Sequence, residues 1–189
     1  MTFTLAFIIG IIGWTLCEYV LHRYVGHSKK AIGGFTREHL SHHSAGVYFM
    51  PHLKKIRVSL QMLIPLATIS ILIFGGEQGS GFALGFALFF MVYEVLHKRA
   101  HTHAPRTSYG RWLRRHHFYH HFSAPRKNFG VTTPLWDVVF RSYSSVGIIR
   151  LPVKKAMCWL VDPQTQEVLP QFAADYQIRS AKKYRAKSA

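Results

Sequence analysis

Residues 116–121, HHFYHH, place four histidines within six positions. One histidine is usually an ordinary structural residue, so this stretch is informative only if related clusters exist elsewhere in the chain. Three more clusters precede it, in the runs HRYVGH, HLSHH and HKRAH. Together the four runs offer ten candidate metal ligands: His22, His27, His39, His42, His43, His97, His101, His117, His120 and His121.

The spacing of these histidines favours binding of metal ions. Residues three or four apart share one face of a helix, so each HxxHH triplet can converge on one point and the HxxxH histidines form a pair. The five-residue spacing of His22 and His27 suggests that the helix unwinds between them, near Gly26. One ion cannot use ten imidazoles, whereas two ions with about five each can, so the pattern predicts a dinuclear centre. Protonated imidazole cannot bind metal, so this site is expected to fail in mild acid.

Other histidines fit the pattern less well. His116 is a spare member of its cluster. His52 and His103 follow no repeated spacing, so we interpret these two as surface residues or as residues that contact the metal ligands without binding metal. Single pairs also occur by chance on solvated helices, and a histidine-rich loop can bind adventitious metal. The prediction of a metal site therefore depends on the four clusters occurring together.

Apolar segments must position these clusters. Residues 1–21 contain no Lys or Arg and one acid, Glu18. Such a helix, at ~1.5 Å rise per residue, is about 30 Å long and can cross a bilayer. A signal peptide is disfavoured because the basic start is missing. Residues 56–74 and 82–96 form two more apolar segments joined by a glycine-rich turn at 75–81, and the last is short for a span unless it extends at both ends.

The charges give the orientation and the fold class. The 189 residues include 24 Lys and Arg against 8 acids, and all the basic residues lie in segments 22–57 and 98–189. The positive-inside rule places these segments, and every histidine cluster, on the cytoplasmic face. We therefore predict an all-α integral membrane bundle of about three to four membrane helices, with a cytosolic helical cap that carries the metal site. The charge is a topology signal with some affinity for anionic lipid, and because no recognition motif accompanies it, no nucleic-acid partner is predicted.

This interpretation divides the chain into two parts. Residues 1–145 are expected to form the membrane and histidine-box catalytic domain. Residues 146–189 are expected to contain an interfacial amphipathic segment at 146–161 and a basic tail at 179–189.

Carboxylates and aromatic residues lie close to the histidine clusters. A nearly all-histidine ligand set leaves positive charge on the metals. Carboxylates that accept hydrogen bonds from the ligand histidines, without binding the metals themselves, are therefore expected, and the candidates are Glu18, Glu94 and Asp137. Glu94 has an alternative role as a direct ligand, because Glu94-x-x-His97 repeats a pattern of carboxylate di-iron bundles. The candidates for lining an apolar substrate groove are Phe90, Tyr119 and Phe122. Such aromatic residues are also typical of interfacial anchors or ordinary core.

The order of the motifs resembles that of a known family. HxxxxH, HxxHH, HxxxH and HxxHH are followed at 129–140 by FGVTTPLWDVVF. This order resembles the fatty acid hydroxylase superfamily of membrane di-iron enzymes, which includes sphingolipid fatty acid 2-hydroxylases, sterol C-5 desaturases and sterol C-4 methyl oxidases. The similarity runs from about Glu18 to Phe140, and HRYVGH and YEVLH look most like the fatty acid hydroxylase branch.

The resemblance implies a function and its cofactors. It implies oxygen-dependent attack on an unactivated C–H bond, with dioxygen as co-substrate and two iron ions held by the histidines, for which zinc can substitute in purified protein. The sequence lacks a cytochrome b5-like domain, so a separate cytochrome b5-like or ferredoxin-like donor with its reductase is expected. Clusters at the ends of spans favour attack on a membrane lipid near its polar end.

Alternative functions remain open. A sterol or other lipid desaturase or oxidase would use the same scaffold. A histidine-rich membrane metal-binding or transport protein would need ionisable residues within the spans, and apart from residues at the ends of the spans, such as Glu18 and Glu94, there are none. A zinc hydrolase would need a general base, which the sequence does not identify.

Overall fold

Helices make up most of the described chain, residues 2–28 and 33–179 of the computed structural model. The α-helices are α1 (Phe3–Val20), α2 (Gly33–Ala45), α3 (His52–Phe74), α4 (Gly76–Thr102), α5 (Ser108–Phe122) and α6 (Leu135–Val139). A π-helical turn (Leu21–Gly26) extends α1, and short 3-10 turns occur at Val153–Lys155 and Pro170–Phe172. The strands are β1 (Ile149–Leu151) and β2 (Tyr176–Ile178).

Three of these helices are long and apolar enough to cross a bilayer, within the residues described. They are Phe3–Gly26, which includes the π-helical turn, His52–Phe74 and Gly76–Thr102. The predicted helical membrane bundle is therefore confirmed. The third helix has 27 residues, because it extends past both ends of the apolar segment that the sequence indicates.

The glycine-rich turn between α3 and α4 is much shorter than predicted. Only Gly75 breaks the helices, with a positive φ of 83°, and α4 begins at the next residue. Gly79 is helical and allows close packing, because a Cβ there would lie 2.4 Å from the carbonyl oxygen of Ser70. The prediction of a turn over 75–81 is wrong because these later glycines serve helix contacts rather than chain reversal.

Helix α4 is the centre of the membrane bundle and packs against both α1 and α3. Glycines allow its backbone to approach that of α1. A Cβ at Gly85 would lie 2.0 Å from the carbonyl oxygen of Phe7, and one at Gly10 would lie 2.1 Å from that of Phe82. Small residues at such crossings are how membrane helices pack closely without a hydrophobic driving force.

The C-terminal segment packs against α5 rather than forming a separate layer. Strands β1 and β2 pair in parallel, with Ile149 opposite Tyr176. Ile149 and Leu151 are fully buried in one apolar core with Leu113 and Phe118 of α5. These residues of the predicted interfacial segment therefore face protein. Contact of this segment with lipid and the domain boundary at 145/146 stay predictions, and residues 180–189 of the predicted basic tail lie outside the described chain.

The close approach of α1 and α4 can be tested with one added methyl group. We expect Gly85→Ala to destabilise the detergent-solubilised protein by about 1–3 kcal/mol, because the new Cβ forces the two backbones apart. Gly76→Ala, at the start of the same helix, is the control, since nothing lies within 4 Å of a Cβ there. Thermal unfolding measures both variants, and an equal effect in the two would contradict the close packing of α1 on α4.

Candidate metal centre

The first histidine pair lies on the π-helical turn at the end of α1. Instead of unwinding between His22 and His27, the helix widens at Leu21–Gly26. A π-helix places residues five apart above one another, so the HxxxxH spacing brings both rings to one side, with centroids 5.4 Å apart. Gly26 is needed here because a Cβ would lie 2.8 Å from the His39 ring. The helix therefore ends at Gly26, where unwinding was predicted, and a wider turn before that residue brings the two rings together.

The structure brings all ten candidate histidines together in two groups of five. The ligand atoms within each group all lie within 4.8 Å of one another. Group one consists of His22, His27, His39, His43 and His120, and group two of His42, His97, His101, His117 and His121. The groups adjoin, since the rings of His43 and His121 stack with centroids 3.9 Å apart. This is the division that a dinuclear centre requires.

Each HxxHH triplet is split between the two groups. In α2, His39 and His43 join group one and His42 joins group two, whereas in α5, His117 and His121 join group two and His120 joins group one. At 3.6 residues per turn, side chains at i and i+4 point ~40° apart, but those at i+3 and i+4 point ~100° apart. The expectation that each triplet converges on one point is therefore wrong, and each of these helices serves both groups.

The tautomers of His22 and His120 show that group one is suited to binding a cation. His22 Nδ1 lies 2.5 Å from the carbonyl oxygen of Phe129, and His120 Nδ1 lies 2.8 Å from that of Lys127. A carbonyl oxygen only accepts, so both Nδ1 atoms carry the ring proton and both Nε2 atoms present lone pairs. Yet these Nε2 atoms lie 3.0 Å apart, with no proton available between them. A cation between the lone pairs removes the repulsion.

Group two has one ring of fixed tautomer and the same close spacing of ring nitrogens. His42 donates from Nδ1 to the carbonyl oxygen of Tyr48 at 2.9 Å, so its Nε2 lone pair faces His97 Nε2 at 3.0 Å. His117 Nε2 lies 3.1 Å from His97 Nε2 and 2.9 Å from His101 Nε2. Separations near 3 Å are expected between neighbouring ligands of one ion with metal–nitrogen bonds of ~2.1 Å. Both donor sets therefore fit a metal of the kind that prefers imidazole.

Burial keeps these imidazoles in the neutral form that binds metal. Burial, and then repulsion from His27, lowers the pKa of His120 to about 3. Burial is also the main cause that lowers the pKa values of His39, His43 and His117. Protonation of the folded site therefore needs a lower pH than protonation of the unfolded chain, where histidine titrates near its ordinary pKa of ~6.5. Failure of the site in mild acid stays a prediction.

A loop brace, residues 127–132, orients the histidines of group one. Asp137, fully buried, accepts hydrogen bonds from the backbone N–H groups of Phe129 and Gly130, both at 2.8 Å. Burial alone would raise the pKa of Asp137, but hydrogen bonds from His116, Ser142 and the loop hold it below its usual value. Glu18 accepts from the backbone of Val131 and Thr132. Both carboxylates therefore fix the loop whose carbonyl groups accept from His22 and His120.

The predicted carboxylate partners act differently from what was expected. Among the described hydrogen bonds, those of Glu18 and Asp137 go to the loop brace and its neighbours, and backbone carbonyls accept from the candidate ligands instead. His116, the apparent spare, is buried and lies 3.1 Å from Asp137 Oδ2. Glu94 forms an ion pair with Lys55. These carboxylates were identified by their closeness in sequence to the histidine clusters. Their hydrogen-bond partners, however, lie up to 114 positions away in the chain.

The predicted substrate aromatics separate into two places. Phe90 lines a cavity of about 300 Å³ that also touches His22 and His39. Tyr119 and Phe122 pack instead against the apolar core formed by α5 and the C-terminal segment. Sequence reasoning missed other lining residues of this cavity: Trp14, Lys55, Ser59 and Met62. Lys55 gave no signal in the sequence, because it lies near the start of α3 beside Lys54 and Arg57, as expected for the charged end of a span.

Sequence and structure comparisons support one family. A model of the family described as fatty acid hydroxylase matches residues 7–142. A dihydroceramide fatty acyl 2-hydroxylase of Arabidopsis thaliana is 33% identical over 137 residues, covering 70% of this chain and 58% of the relative. A fatty acid 2-hydroxylase of Macaca fascicularis is 31% identical, covering 72% of this chain and 38% of the relative. The chain thus spans roughly two-fifths to three-fifths of the length of these relatives.

The fold agrees with a solved structure. Full-length Scs7p, of which only the hydroxylase domain is visible, superimposes with a TM-score of 0.60 at 24% identity. The match covers 76% of this chain and 56% of that one. The family match includes the π-helical turn, both HxxHH helices and the loop brace. The chain belongs to the fatty acid hydroxylase family.

Proposed function

We propose that this chain is a membrane di-iron oxygenase that hydroxylates an unactivated C–H bond of a lipid acyl chain near its head group. The observation that carries the proposal is the pair of five-histidine groups, buried or half-buried, beside a largely apolar cavity. Membership of the fatty acid hydroxylase family supports the reaction class. The named relatives include a fatty acid 2-hydroxylase and a dihydroceramide fatty acyl 2-hydroxylase, which points to an acyl chain as the substrate.

Each histidine group would hold one iron. When bound, the two irons would supply the redox chemistry that activates dioxygen. The protein's contribution is to keep the ring nitrogens deprotonated, to fix their orientation and to exclude water. His22 and His120 are fixed by carbonyl oxygens of the loop brace, and His42 by the carbonyl of Tyr48. Zinc would fit the same donors, and only iron would support the proposed reaction.

The reaction requires an external electron donor. Conversion of C–H and dioxygen into C–OH and water takes up two electrons and two protons beyond those supplied by the substrate. We propose a cytochrome b5-like or ferredoxin-like protein with its reductase as the donor. The described basic residues lie at the histidine-carrying ends of the spans and in the segments beyond them, which supports a cytoplasmic site and an acidic donor surface.

The depth of the site supports attack near the head group. His22 and His97 lie in the terminal turns of candidate spans Phe3–Gly26 and Gly76–Thr102, so in our proposal the metal groups would lie at the level of the membrane interface. An acyl carbon beside them would be close to the polar end of the lipid. A desaturase or other lipid oxidase would use the same centre, and the mass of the product distinguishes it: hydroxylation adds one oxygen, whereas desaturation removes two hydrogens.

Substitution of one ligand tests the two-metal assignment. We expect iron-supplied wild-type protein to contain two irons per chain and His120→Ala to lose the iron of group one. Lipid hydroxylation should fall by at least about 100-fold, since even losing a partner of a ligand costs 10–100-fold. Metal analysis by mass spectrometry and lipid extraction measure these outcomes. His52→Ala, at an exposed position outside both groups, is the control. Undiminished product from a His120→Ala/His121→Ala double variant would exclude this centre.

The loop brace provides a second test. We expect Asp137→Asn to lower the iron affinity of group one by about 10–100-fold, because Phe129 and Gly130 lose their charged acceptor and the loop no longer holds its carbonyls against His22 and His120. Asp162→Asn is a matched control, since Asp162 also accepts from backbone N–H groups, those of Gln164 and Thr165, in an exposed turn. Chelator competition measures the affinity, and equal affinities in the two variants would refute the brace.

The stability of the metal-free protein should depend on pH. The folded pKa of His120 is about 3 and the unfolded value is ~6.5, so between these values the unfolded chain binds more protons. The stabilising contribution is therefore complete above pH ~6.5 and is lost as the pH falls towards 3. We expect the melting temperature of chelator-treated protein to fall steadily from pH 7 to pH 5. A constant melting temperature over that range would contradict the burial of neutral histidines.

A further inference from the structure

Helix α3 is the outermost of the three candidate membrane spans. Only 6% of the residues in its most apolar stretch are buried, against 33% in Phe3–Gly26 and 28% in Gly76–Thr102. Its inner face packs against α4, and Met62, Leu63 and Leu66 contact the apolar cluster between the helices. The opposite face of α3 is therefore turned away from the rest of the described chain.

This outward face carries a glutamine at the depth of the hydrocarbon. Gln61 is exposed and lies nine positions after His52, the first residue of α3, which is about 13 Å along the helix axis at ~1.5 Å per residue. It is also one turn deeper than Arg57, the last charged residue of the helix. Within the described chain the side-chain amide of Gln61 has no hydrogen-bond partner. An amide left unpartnered in hydrocarbon is costly, because no water replaces its hydrogen bonds.

Pro65 frees a second polar group in the same turn. A proline has no N–H to donate to the carbonyl oxygen four residues earlier, which here is that of Gln61. Pro65 is itself exposed on the outward face. Membrane helices tolerate proline where neighbouring helices or polar side chains supply the missing partner. One turn of α3 thus presents both a side-chain amide and a carbonyl oxygen that has lost its helical donor.

The outward face also has the residue spacing of a helix–helix contact. Exposed residues at intervals of four, three, four and three positions form a stripe that we call the α3 seam. The seam consists of Arg57, Gln61, Ile64, Thr68 and Ile71. These intervals are those of the a and d positions at which two helices pack side by side. A groove of about 570 Å³ runs beside Gln61 and Ile64, and its described lining residues all belong to α3, so the groove is open to a second helix.

We propose that the α3 seam is the interface through which two copies of this chain form a parallel homodimer, with their Gln61 amides hydrogen-bonded to each other. Copies inserted in the same orientation pack their α3 helices symmetrically about a two-fold axis along the membrane normal, so each seam residue meets its own counterpart. A primary amide suits this position because it both donates and accepts. The remaining amide hydrogen is available to the carbonyl oxygen that Pro65 leaves free.

A second copy fits the seam better than the surrounding lipid does. Acyl chains have no donor or acceptor at this depth, so they would leave the Gln61 amide unsatisfied. Glutamine side chains form hydrogen bonds between membrane helices, and one polar residue in an apolar seam fixes the register of the two helices. Arg57 does not oppose the contact, because its long side chain can extend to the headgroups at the end of the span.

Cross-linking tests which face of the bundle meets a second copy. In a Cys17→Ala/Cys158→Ser background, Ile64→Cys on the seam is compared with Leu88→Cys, which is similarly exposed but lies on α4. The full chain in lipid vesicles is treated with a short bis-maleimide. We expect a covalent dimer from Ile64→Cys and little from Leu88→Cys, because only residues close to the two-fold axis meet their counterpart. Equal yields at the two positions, or no dimer from Ile64→Cys, would overturn the proposed interface.

The role of Gln61 is tested by measuring dimer affinity. Copies labelled with donor or acceptor dyes at Cys158, in a Cys17→Ala background, are diluted with lipid, and energy transfer reports the dimer fraction. We expect Gln61→Leu to need about tenfold more protein per lipid for half-dimerisation, and Gln61→Asn, which keeps a primary amide, to lose less. A monomeric wild type at every dilution, as expected if lipid fills the groove, or equal affinity in Gln61→Leu, would refute the proposal. Neither measurement uses metal or turnover, so both are independent of the proposed function.

Discussion

Imidazole lone pairs directed at one another are the constraint on which the rest of this structure depends. In group one, His22 and His120 each commit one nitrogen to a backbone carbonyl and present the other to the same point, 3.0 Å apart. Without a positive charge between them this arrangement is repulsive, and burial prevents protons from supplying it. The surrounding elements are best understood as the means by which ten such rings are held in place.

Several local features serve this purpose. The π-helical turn brings two histidines five positions apart to one side, and Asp137 and Glu18 fix the loop that sets the tautomers of His22 and His120. Below them, glycines of α1 and α4 allow close backbone approach, which sets the position of the helix ends that carry His22 and His97. The membrane bundle therefore fixes the positions of histidines in the metal centre as well as anchoring the protein.

Much of this was predictable from the sequence, for identifiable reasons. Repeated spacing and apolar segments are local signals, so the ten histidines and the three long helices could be recognised without coordinates. The split of each triplet, the partner of Glu18 at Thr132 and the packing role of Gly79 could not, because they depend on how helices rotate and meet across distant parts of the chain. The packing of Tyr119 and Phe122 against the C-terminal core, which was the stated alternative for these aromatic residues, depends on the rotation of α5 in the same way.

The division of each HxxHH helix between both groups has a consequence for assembly. Helix α2 contributes His39 and His43 to one group and His42 to the other, and α5 mirrors this arrangement. The first ion to bind therefore orders two helices that the second ion also needs, and so reduces the conformational entropy that the second binding step must overcome. Metal loading should consequently be cooperative: at limiting metal, chains would be either empty or doubly filled, and the half-filled centre would be rare.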